Sequence, residues 1–147
     1  MEIRHLTPLP WPLLAPLIEA SRNEGFQFLI RLEDEFLSGK VRFDGNGEGL
    51  FGAYEGPTLI GVGGLTRDPY SDKPHTGRVR HLYVLPQWRG RGIGASLLSA
   101  IEHRAEAHFK ALVLRTDTSA GAAFYQSHGY ESLAAGGTAT HRRSLLS

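Results

Sequence analysis

Cysteine is absent from the 147-residue chain, so the sequence offers no disulfide, no thiol nucleophile and no thiolate zinc site. An excess of one charge is absent as well, since 16 Lys and Arg oppose 15 Asp and Glu, and this balance provides no field for wrapping a polyanion. No stretch approaches the roughly 20 apolar residues of a membrane-spanning helix, and the first residues lack the basic and apolar regions of a signal peptide. We therefore expect a soluble, cytoplasmic protein without a metal site, and neither nucleic acid nor a membrane as its main partner.

The length and the pattern of apolar residues predict one compact domain over residues 1–147. Alternating residues indicate strands, a repeat every three or four residues indicates helices, and glycine and proline mark their ends. In the first half of the chain these patterns predict a strand at 2–6, a helix through Leu13, Leu17 and Ile18, a helix at about 25–38, and a hairpin of strands at 50–54 and 58–65. A loop at 67–76 then leads to a strand at 78–84 and a helix from 93. The last part is predicted to contain a strand at 111–116, a helix at 120–127 and a pair of strands at 130–133 and 138–145.

The clearest motif is the glycine-rich run Arg89-Gly90-Arg91-Gly92-Ile93-Gly94, which separates the strand predicted at 78–84 from the most regular helix pattern of the chain. Glycine lets the backbone approach an anion closely, and the free N–H groups at a helix start point together toward it. The two arginines add positive charge beside those donors. This context predicts a pyrophosphate-binding turn; the alternatives are a plain glycine-rich loop and a short Arg-Gly patch for nucleic acid.

One known turn that fits these glycines is the dinucleotide-binding fingerprint. Gly90-x-Gly92-x-x-Ala95 matches it, and Asp117 ends the next predicted strand, where a ribose-binding acid is found in that fold. However, the fingerprint begins almost directly after its strand, whereas residues 86–89 intervene here. That fold also needs several βαβ units, and only one can be placed. A nicotinamide-binding protein is therefore the less favoured interpretation.

Two blocks of sequence match a different kind of turn. Arg89-x-x-Gly92-x-Gly94 follows the run Leu82-Tyr83-Val84-x-Pro86, and roughly thirty residues later come Ala122, the pair Phe124-Tyr125 and the pair Gly129-Tyr130. With both blocks in this order, residues 79–130 resemble the GNAT superfamily of N-acetyltransferases. In that family the first block begins the helix that holds the pyrophosphate of acetyl-CoA.

The resemblance implies an α/β (α+β) fold with a single mixed, mostly antiparallel central sheet of about six or seven strands flanked by about four helices. It also implies acetyl-CoA as co-substrate, with the backbone of Leu82, Tyr83 and Val84 binding the pantetheine arm and polarising the acetyl carbonyl. Where family members often carry an asparagine that contacts the cofactor arm, this chain has Ser119, whose hydroxyl reaches less far. The backbone N–H groups that would hold the pyrophosphate are those of Arg89, Gly90, Arg91, Gly92, Ile93, Gly94 and Ala95.

The chemistry that the resemblance implies is direct attack of an amine on the thioester, with both substrates bound together and no covalent enzyme intermediate. Tyr125 is the candidate general acid for the leaving thiolate, although a tyrosine packed in the core is the structural alternative. A glutamate that some family members carry at the start of the cofactor-binding strand is missing. We consider His81 as the general base because it titrates in a useful range, with Asp68, Glu33 or a bound water as further candidates and a purely structural histidine as the alternative.

The acceptor amine decides how strong a base is needed. Freeing the lone pair of a lysine-like amine at pH 7 costs roughly 4–5 kcal/mol, whereas an α-amine costs only roughly 1–1.5 kcal/mol. In this family the first two helices and the loop after the hairpin select the acceptor. These segments supply Asn23, Glu24, Phe26, Phe28, Arg31, Glu33, Asp68 and Tyr70, and their carboxylates and aromatic rings could receive a cationic amine. The substrate-binding candidates among them are Phe26, Glu33, Asp68 and Tyr70, although Glu33 could equally belong to a solvated helix face.

These observations lead to one principal hypothesis, an acetyl-CoA-dependent N-acetyltransferase that acts on a primary amine of a small molecule or a protein. A CoA-binding sensor or interaction module without turnover is the alternative from a different class. Either would act as a monomer or a homodimer.

Overall fold

A computed structural model describes residues 1–145 of the protein. Its elements follow the predicted order, with one addition, a 3₁₀ turn ahead of the glycine-rich run. They are β1 (Glu2–His5), α1 (Trp11–Asn23), α2 (Phe28–Leu37), β2 (Gly49–Glu55), β3 (Thr58–Arg67), β4 (Thr76–Val84), the 3₁₀ turn (Pro86–Trp88), α3 (Ile93–Glu106), β5 (Ala111–Leu114), α4 (Ser119–Ser127), β6 (Glu131–Ser132) and β7 (His141–Ser144).

Within the described residues the strands form one sheet of seven in the order β1-β2-β3-β4-β5-β7-β6. Every neighbouring pair is antiparallel except β4 and β5, which are parallel. Four helices flank this sheet, so the predicted fold class is confirmed. The last two strands are shorter than predicted, because β6 pairs with β7 at two residues and β7 pairs with β5 at four, His141–Ser144.

Glycines in β3 allow α3 to lie close to one side of the sheet. A Cβ atom at Gly61 would lie 3.0 Å from Cδ1 of Leu97, and one at Gly63 would lie 3.1 Å from Cδ1 of Ile101. Larger residues at these positions would therefore push the helix away. The other side of the sheet is covered by α1 and α2, whose fully buried leucines include Leu14, Leu17 and Leu29.

The central feature of the sheet is the way in which β4 leaves its neighbour β5. The two strands pair only where Thr76–Arg78 meet Ala111–Val113, whereas β4 continues beside β3 as far as Val84. Among the described residues, 79–84 thus have a neighbouring strand on one side only. We call their unpaired side the open edge of β4.

A β-bulge lies in the middle of this half-paired segment. Val62 faces Tyr83 and Gly64 faces Arg80, so β4 contains one more residue than β3 over this step. His81 lies at the bulge with φ of 60°, which is unusual for a residue other than glycine. The bulge bends β4 as it approaches the glycine-rich run.

None of the helices in residues 1–145 combines the length and the apolar character that a membrane span requires.

Candidate functional site

The open edge presents backbone hydrogen-bonding groups that no strand uses. Leu85 donates its N–H to the carbonyl of Ile60 on β3, with N···O of 2.9 Å. Because successive residues of an antiparallel strand direct their backbone groups to opposite sides, Val84 directs its own toward the gap left by β5. Leu82, Tyr83 and Val84, the three residues predicted to bind a pantetheine arm, all lie on this segment. By the same alternation Tyr83 directs its backbone groups toward Val62 on β3, so the predicted backbone role of Tyr83 is wrong.

The glycine turn, residues 89–95, follows directly and leads into α3. Gly90 and Gly92 have φ of 77° and 80°, and the first helical hydrogen bond runs from Ser96 N–H to the Gly92 carbonyl at 3.0 Å. From Gly90 to Ala95 the backbone N–H groups make no hydrogen bond to the described part of the chain. A Cβ atom at Gly90 or Gly92 would meet no atom within 4 Å, so the space beside these donors is open. Unpaired N–H groups at a helix start, flanked by glycine, fit a pyrophosphate.

Arg89 contributes to this turn differently from its neighbours. Its own N–H donates to the Pro86 carbonyl at 3.3 Å. The prediction that this N–H binds the pyrophosphate is therefore wrong. Its side chain donates through Nε to the Val84 carbonyl at 3.0 Å and through Nη2 to Oε1 of Glu24 at 2.8 Å. Arg91, in contrast, is exposed and stacks over the ring of Trp88 at 4.7 Å.

Glu24 is expected from the sequence only as one of the residues near the acceptor, and the structure places its carboxylate against the glycine turn. It follows α1 directly, and its Oε1 accepts hydrogen bonds from both Arg89 and the Tyr83 hydroxyl, the latter at 2.7 Å. Burial alone would raise the pKa of Glu24, but the hydrogen bonds from Arg89 and Tyr83 outweigh it and hold that pKa below its ordinary value. No local pattern in the sequence indicates this contact, because Glu24 and Arg89 are 65 positions apart.

Tyr125 lies on α4 beside the glycine turn. The ring of its neighbour Phe124 approaches to 3.5 Å the position that a Cβ of Gly94 would occupy, which fixes α4 against the start of α3. Tyr125 itself is 9% exposed and its ring contacts Phe124 and Tyr130 at centroid distances of 5.1 and 5.6 Å. Burial raises its pKa, and its hydroxyl makes no hydrogen bond to the described residues. The side chain is thus packed in the core, as the structural alternative requires, but its hydroxyl remains available as a donor.

Ser119 is the first residue of α4 and is exposed. The helix is capped by Thr118, whose hydroxyl oxygen accepts from the Gly121 N–H at 3.0 Å, so the Ser119 hydroxyl is not needed for capping.

The helix α2 runs along the opposite side of β4 from α3. The rings of Phe28 and Tyr83 lie 6.0 Å apart, and Glu35 forms an ion pair with Arg80 at 3.3 Å. These two helix residues are seven positions apart, the spacing of two helical turns. That spacing is a signal that could have selected Glu35 ahead of Glu33, which is half-buried on α2 and has no partner among the described residues. Phe26 packs against Phe28 with centroids 5.4 Å apart.

His81, the predicted base, lies on β4 between Arg80, which pairs with Glu35, and Tyr83, which contacts Phe28. Its surroundings oppose a role as general base. Its ring is 6.0 Å from that of Phe43, and although the residue is only half-buried, both ring nitrogens are shielded from solvent and lack a hydrogen-bond partner. Burial lowers the pKa of His81 to about 3, and repulsion from Arg80 contributes. The imidazole is therefore neutral at pH 7, but it is a weak base whose nitrogens a substrate cannot reach.

Asp68 and Tyr70 are likewise engaged in holding the loop between β3 and β4. Asp68 is 6% exposed and pairs with Arg78, which is 7% exposed, at 3.4 Å. Arg78 also donates to the Thr138 carbonyl at 2.8 Å, and its guanidinium lies 4.9 Å from the centre of the Tyr70 ring. A buried carboxylate committed to an arginine is not free to receive a cationic substrate, which argues against the predicted substrate role of Asp68. Tyr70 remains 62% exposed.

Comparison with known proteins identifies the family. A model of the family described as "Acetyltransferase (GNAT) domain" matches residues 46–132. The chain belongs to the GNAT acetyltransferase family. The predicted resemblance is thereby confirmed, and the membership favours an acyl-CoA turn over the dinucleotide fingerprint.

Two curated relatives from mycobacteria share part of this sequence. The N-alpha-acetyltransferase RimI of Mycobacterium tuberculosis is 36% identical over 84 residues, which are 54% of this chain and 50% of that protein. An uncharacterised protein of Mycobacterium leprae, ML0378, is 32% identical over 110 residues, which are 69% of this chain and 30% of that protein. The chain thus spans half or less of the length of these two relatives.

A solved structure resembles the chain over nearly its whole length. It is a protein of Exiguobacterium sp. 255-15 described as an acetyltransferase by assignment, and its sequence is 30% identical to this one. The two structures superpose with a TM-score of 0.86 over 97% of this chain and 92% of that chain. The fold and the family therefore agree between the two kinds of comparison.

The environment of His81 predicts a specific loss of stability in acid. The folded state keeps a pKa of about 3, whereas the unfolded histidine has a pKa of about 6.5. The stabilisation is therefore complete above pH 6.5 and is lost as the pH falls toward 3. Between pH 7 and pH 5 we expect this group to reduce the free energy of unfolding by about 2 kcal/mol.

Urea denaturation of the native protein and of His81→Asn at both pH values measures this contribution, because asparagine tolerates positive φ but does not titrate. An identical pH dependence in the two proteins would contradict the assignment.

The glycine turn predicts a contrast between two substitutions that add the same methyl group. Gly92→Ala places alanine at φ of 80°, a strain of roughly 1–2 kcal/mol, and puts a methyl group into the open space beside the free N–H groups. We expect CoA affinity, measured by calorimetry, to fall roughly tenfold. Gly94→Ala is the matched control, because its methyl group makes an ordinary contact with Phe124 and lies within α3. Equal affinities for the two variants would show that the turn has been misinterpreted.

Proposed function

We propose that the protein transfers the acetyl group of acetyl-CoA to a primary amine of a small molecule or a protein, by direct attack in a complex that contains both substrates. The observation that carries the proposal is the continuity between the open edge of β4 and the unpaired N–H groups of the glycine turn. Both present backbone donors along one path, and membership of the GNAT acetyltransferase family supports acetyl transfer in general.

The backbone does most of the binding in this proposal. The N–H groups from Gly90 to Ala95 hold the pyrophosphate. The groups of the open edge that point away from β3, except the Val84 carbonyl that Arg89 already bonds, bind the pantetheine arm. A backbone N–H of the same edge donates to the acetyl oxygen and stabilises the negative charge that develops there. Acetyl-CoA supplies the thioester carbon that the amine attacks.

Tyr125 provides the hydrogen bond to the leaving sulfur. Because burial raises its pKa, the hydroxyl stays protonated at pH 7, but complete transfer of the proton is made less favourable. Its first contribution is therefore to donate a hydrogen bond to the developing thiolate, and solvent completes the proton transfer afterwards.

The state of the carboxylates beside β4 points to the class of amine. Asp68 is paired with Arg78, Glu35 with Arg80, and Glu24 with Arg89. His81 is too weak a base, so of the side chains predicted as bases Glu33 on α2 is the one without an ion pair among the described residues. A lysine-like acceptor would need roughly 4–5 kcal/mol to become neutral at pH 7, whereas an α-amine needs only roughly 1–1.5 kcal/mol and can lose its proton to water. We therefore infer that an α-amine is the preferred acceptor. The name of the mycobacterial relative, N-alpha-acetyltransferase RimI, supports the same choice.

Thermal unfolding and thiol release together test the proposal. We expect acetyl-CoA and CoA, but not NADH, to raise the melting temperature, because a ligand at a hundred times its Kd adds about 2.7 kcal/mol. Thiol release at pH 7 should then be faster with a lysine-free peptide that has a free N-terminus than with an N-terminally blocked peptide that contains lysine. No stabilisation by either CoA compound would refute the function. Stabilisation without thiol release from any amine would identify a CoA-binding module instead.

Replacing Tyr125 by phenylalanine tests the proposed acid separately. The variant loses only a hydroxyl that forms no hydrogen bond within the described residues, so folding and CoA affinity should be unchanged. We expect turnover to fall by roughly 10²-fold with the KM for both substrates preserved. Unchanged turnover would remove Tyr125 from the mechanism and leave it a core residue.

A further inference from the structure

Glu24 joins two parts of the molecule that the proposed mechanism treats separately. It lies directly after α1 and before Gly25, whose φ is 89°, and so belongs to the connection between α1 and α2. Its Oε1 atom accepts the hydrogen bonds of Tyr83 on β4 and of Arg89 in the glycine turn. One carboxylate oxygen thus connects the helices on one side of the sheet with the turn at the end of β4.

Arg89 extends this connection to the open edge. Its Nε donates to the Val84 carbonyl, the last residue of β4, and its guanidinium lies 5.3 Å from the centre of the Tyr83 ring. The guanidinium therefore has Glu24, Val84 and the Tyr83 ring as partners on different sides, which fixes its plane. Because Arg89 begins the glycine turn, fixing its side chain also fixes the point from which Gly90 and the following N–H groups start.

The negative charge of Glu24 distinguishes two possible effects of this residue on the binding of an anion. A carboxylate next to a turn that binds an anion weakens the attraction for that anion, so a purely electrostatic role would make Glu24 unfavourable for binding. A carboxylate that orients Arg89 has the opposite effect, because the donors are then ordered before the ligand arrives.

We propose that Glu24 is a positioning residue that orders the glycine turn through Arg89 and thereby increases affinity for CoA. This inference rests on the proposed function, since it assigns Glu24 to the same CoA site. It also makes the connection between α1 and α2 part of the cofactor site, through the contact of this carboxylate with Arg89.

The substitution Glu24→Gln distinguishes the two roles by the direction of its effect. It keeps the shape of the side chain but removes the charge that strengthens both hydrogen bonds. If Glu24 positions the turn, the Kd for CoA measured by calorimetry should rise roughly 5- to 20-fold, with the KM for acetyl-CoA rising and kcat little changed. An unchanged or tighter Kd overturns the inference. Glu19→Gln, at an exposed carboxylate of α1 without a partner in the described residues, is the matched control and should stay within about twofold of the native protein.

A double-mutant cycle shows whether Glu24 acts through Arg89. Arg89→Gln should weaken CoA binding, and adding Glu24→Gln to it should cause little further loss, because the residue that Glu24 positions is already gone. If the loss of CoA affinity in the double variant equals the product of the two single losses, the two residues act independently and the inference is overturned. Should Glu24→Gln fail to fold, Arg89→Lys provides the second test: it retains the charge but cannot bond Val84 and Glu24 together, and native affinity in that variant also overturns the inference.

The native protein measured in the same experiment separates this inference from the proposed function. If it does not bind CoA, both are rejected. If it binds CoA and Glu24→Gln binds equally well, only the role of Glu24 is rejected.

Discussion

The separation of β4 from β5 after Arg78 is the constraint on which the rest of the structure depends. Backbone N–H and C=O groups must find partners when they are buried, so a strand that loses its neighbour presents groups that require either solvent or a ligand. The bulge at His81 turns the end of the strand, and the glycine turn then continues the row of unpaired donors into α3. The glycines of β3 serve the same end, because they let α3 lie close enough to the sheet for its first turn to meet the open edge.

Much of this arrangement can be predicted from the sequence because it depends on local rules. Gly90 and Gly92 adopt positive φ, which few other residues tolerate, and the periodic apolar face of α3 places the turn at a helix start. The order of strands and helices follows from the same short-range patterns, and the mixed sheet follows once the two motif blocks identify the fold. The structure adds the 3₁₀ turn and the bulge, which no local pattern of β4 indicates, since a positive φ is uncommon for any residue other than glycine.

The side chains beside β4 could not be assigned in this way, because their partners are distant in sequence. Asp68 and Glu33 are the carboxylates that the sequence offers in the β3–β4 loop and in α2. It does not show that Asp68 meets Arg78 in the interior, or that Glu35 is the residue of α2 that reaches Arg80. The contact between Glu24 and Arg89 is still harder to predict, because 65 positions separate the two residues in sequence. A motif that binds through the backbone requires only glycine at fixed positions, whereas a pocket built from side chains requires the complete fold, and so the cofactor is easier to predict than the acceptor.

The two residues considered for proton transfer have pKa values displaced in opposite directions by the same cause. Burial lowers the pKa of His81, which weakens it as a base, and raises the pKa of Tyr125, which weakens it as an acid. A site built from such groups gains little from complete proton transfer and much from hydrogen bonds to charges that develop during the reaction. In the proposed function the acceptor must then be partly neutral at physiological pH before it binds, which is the reason for inferring an α-amine.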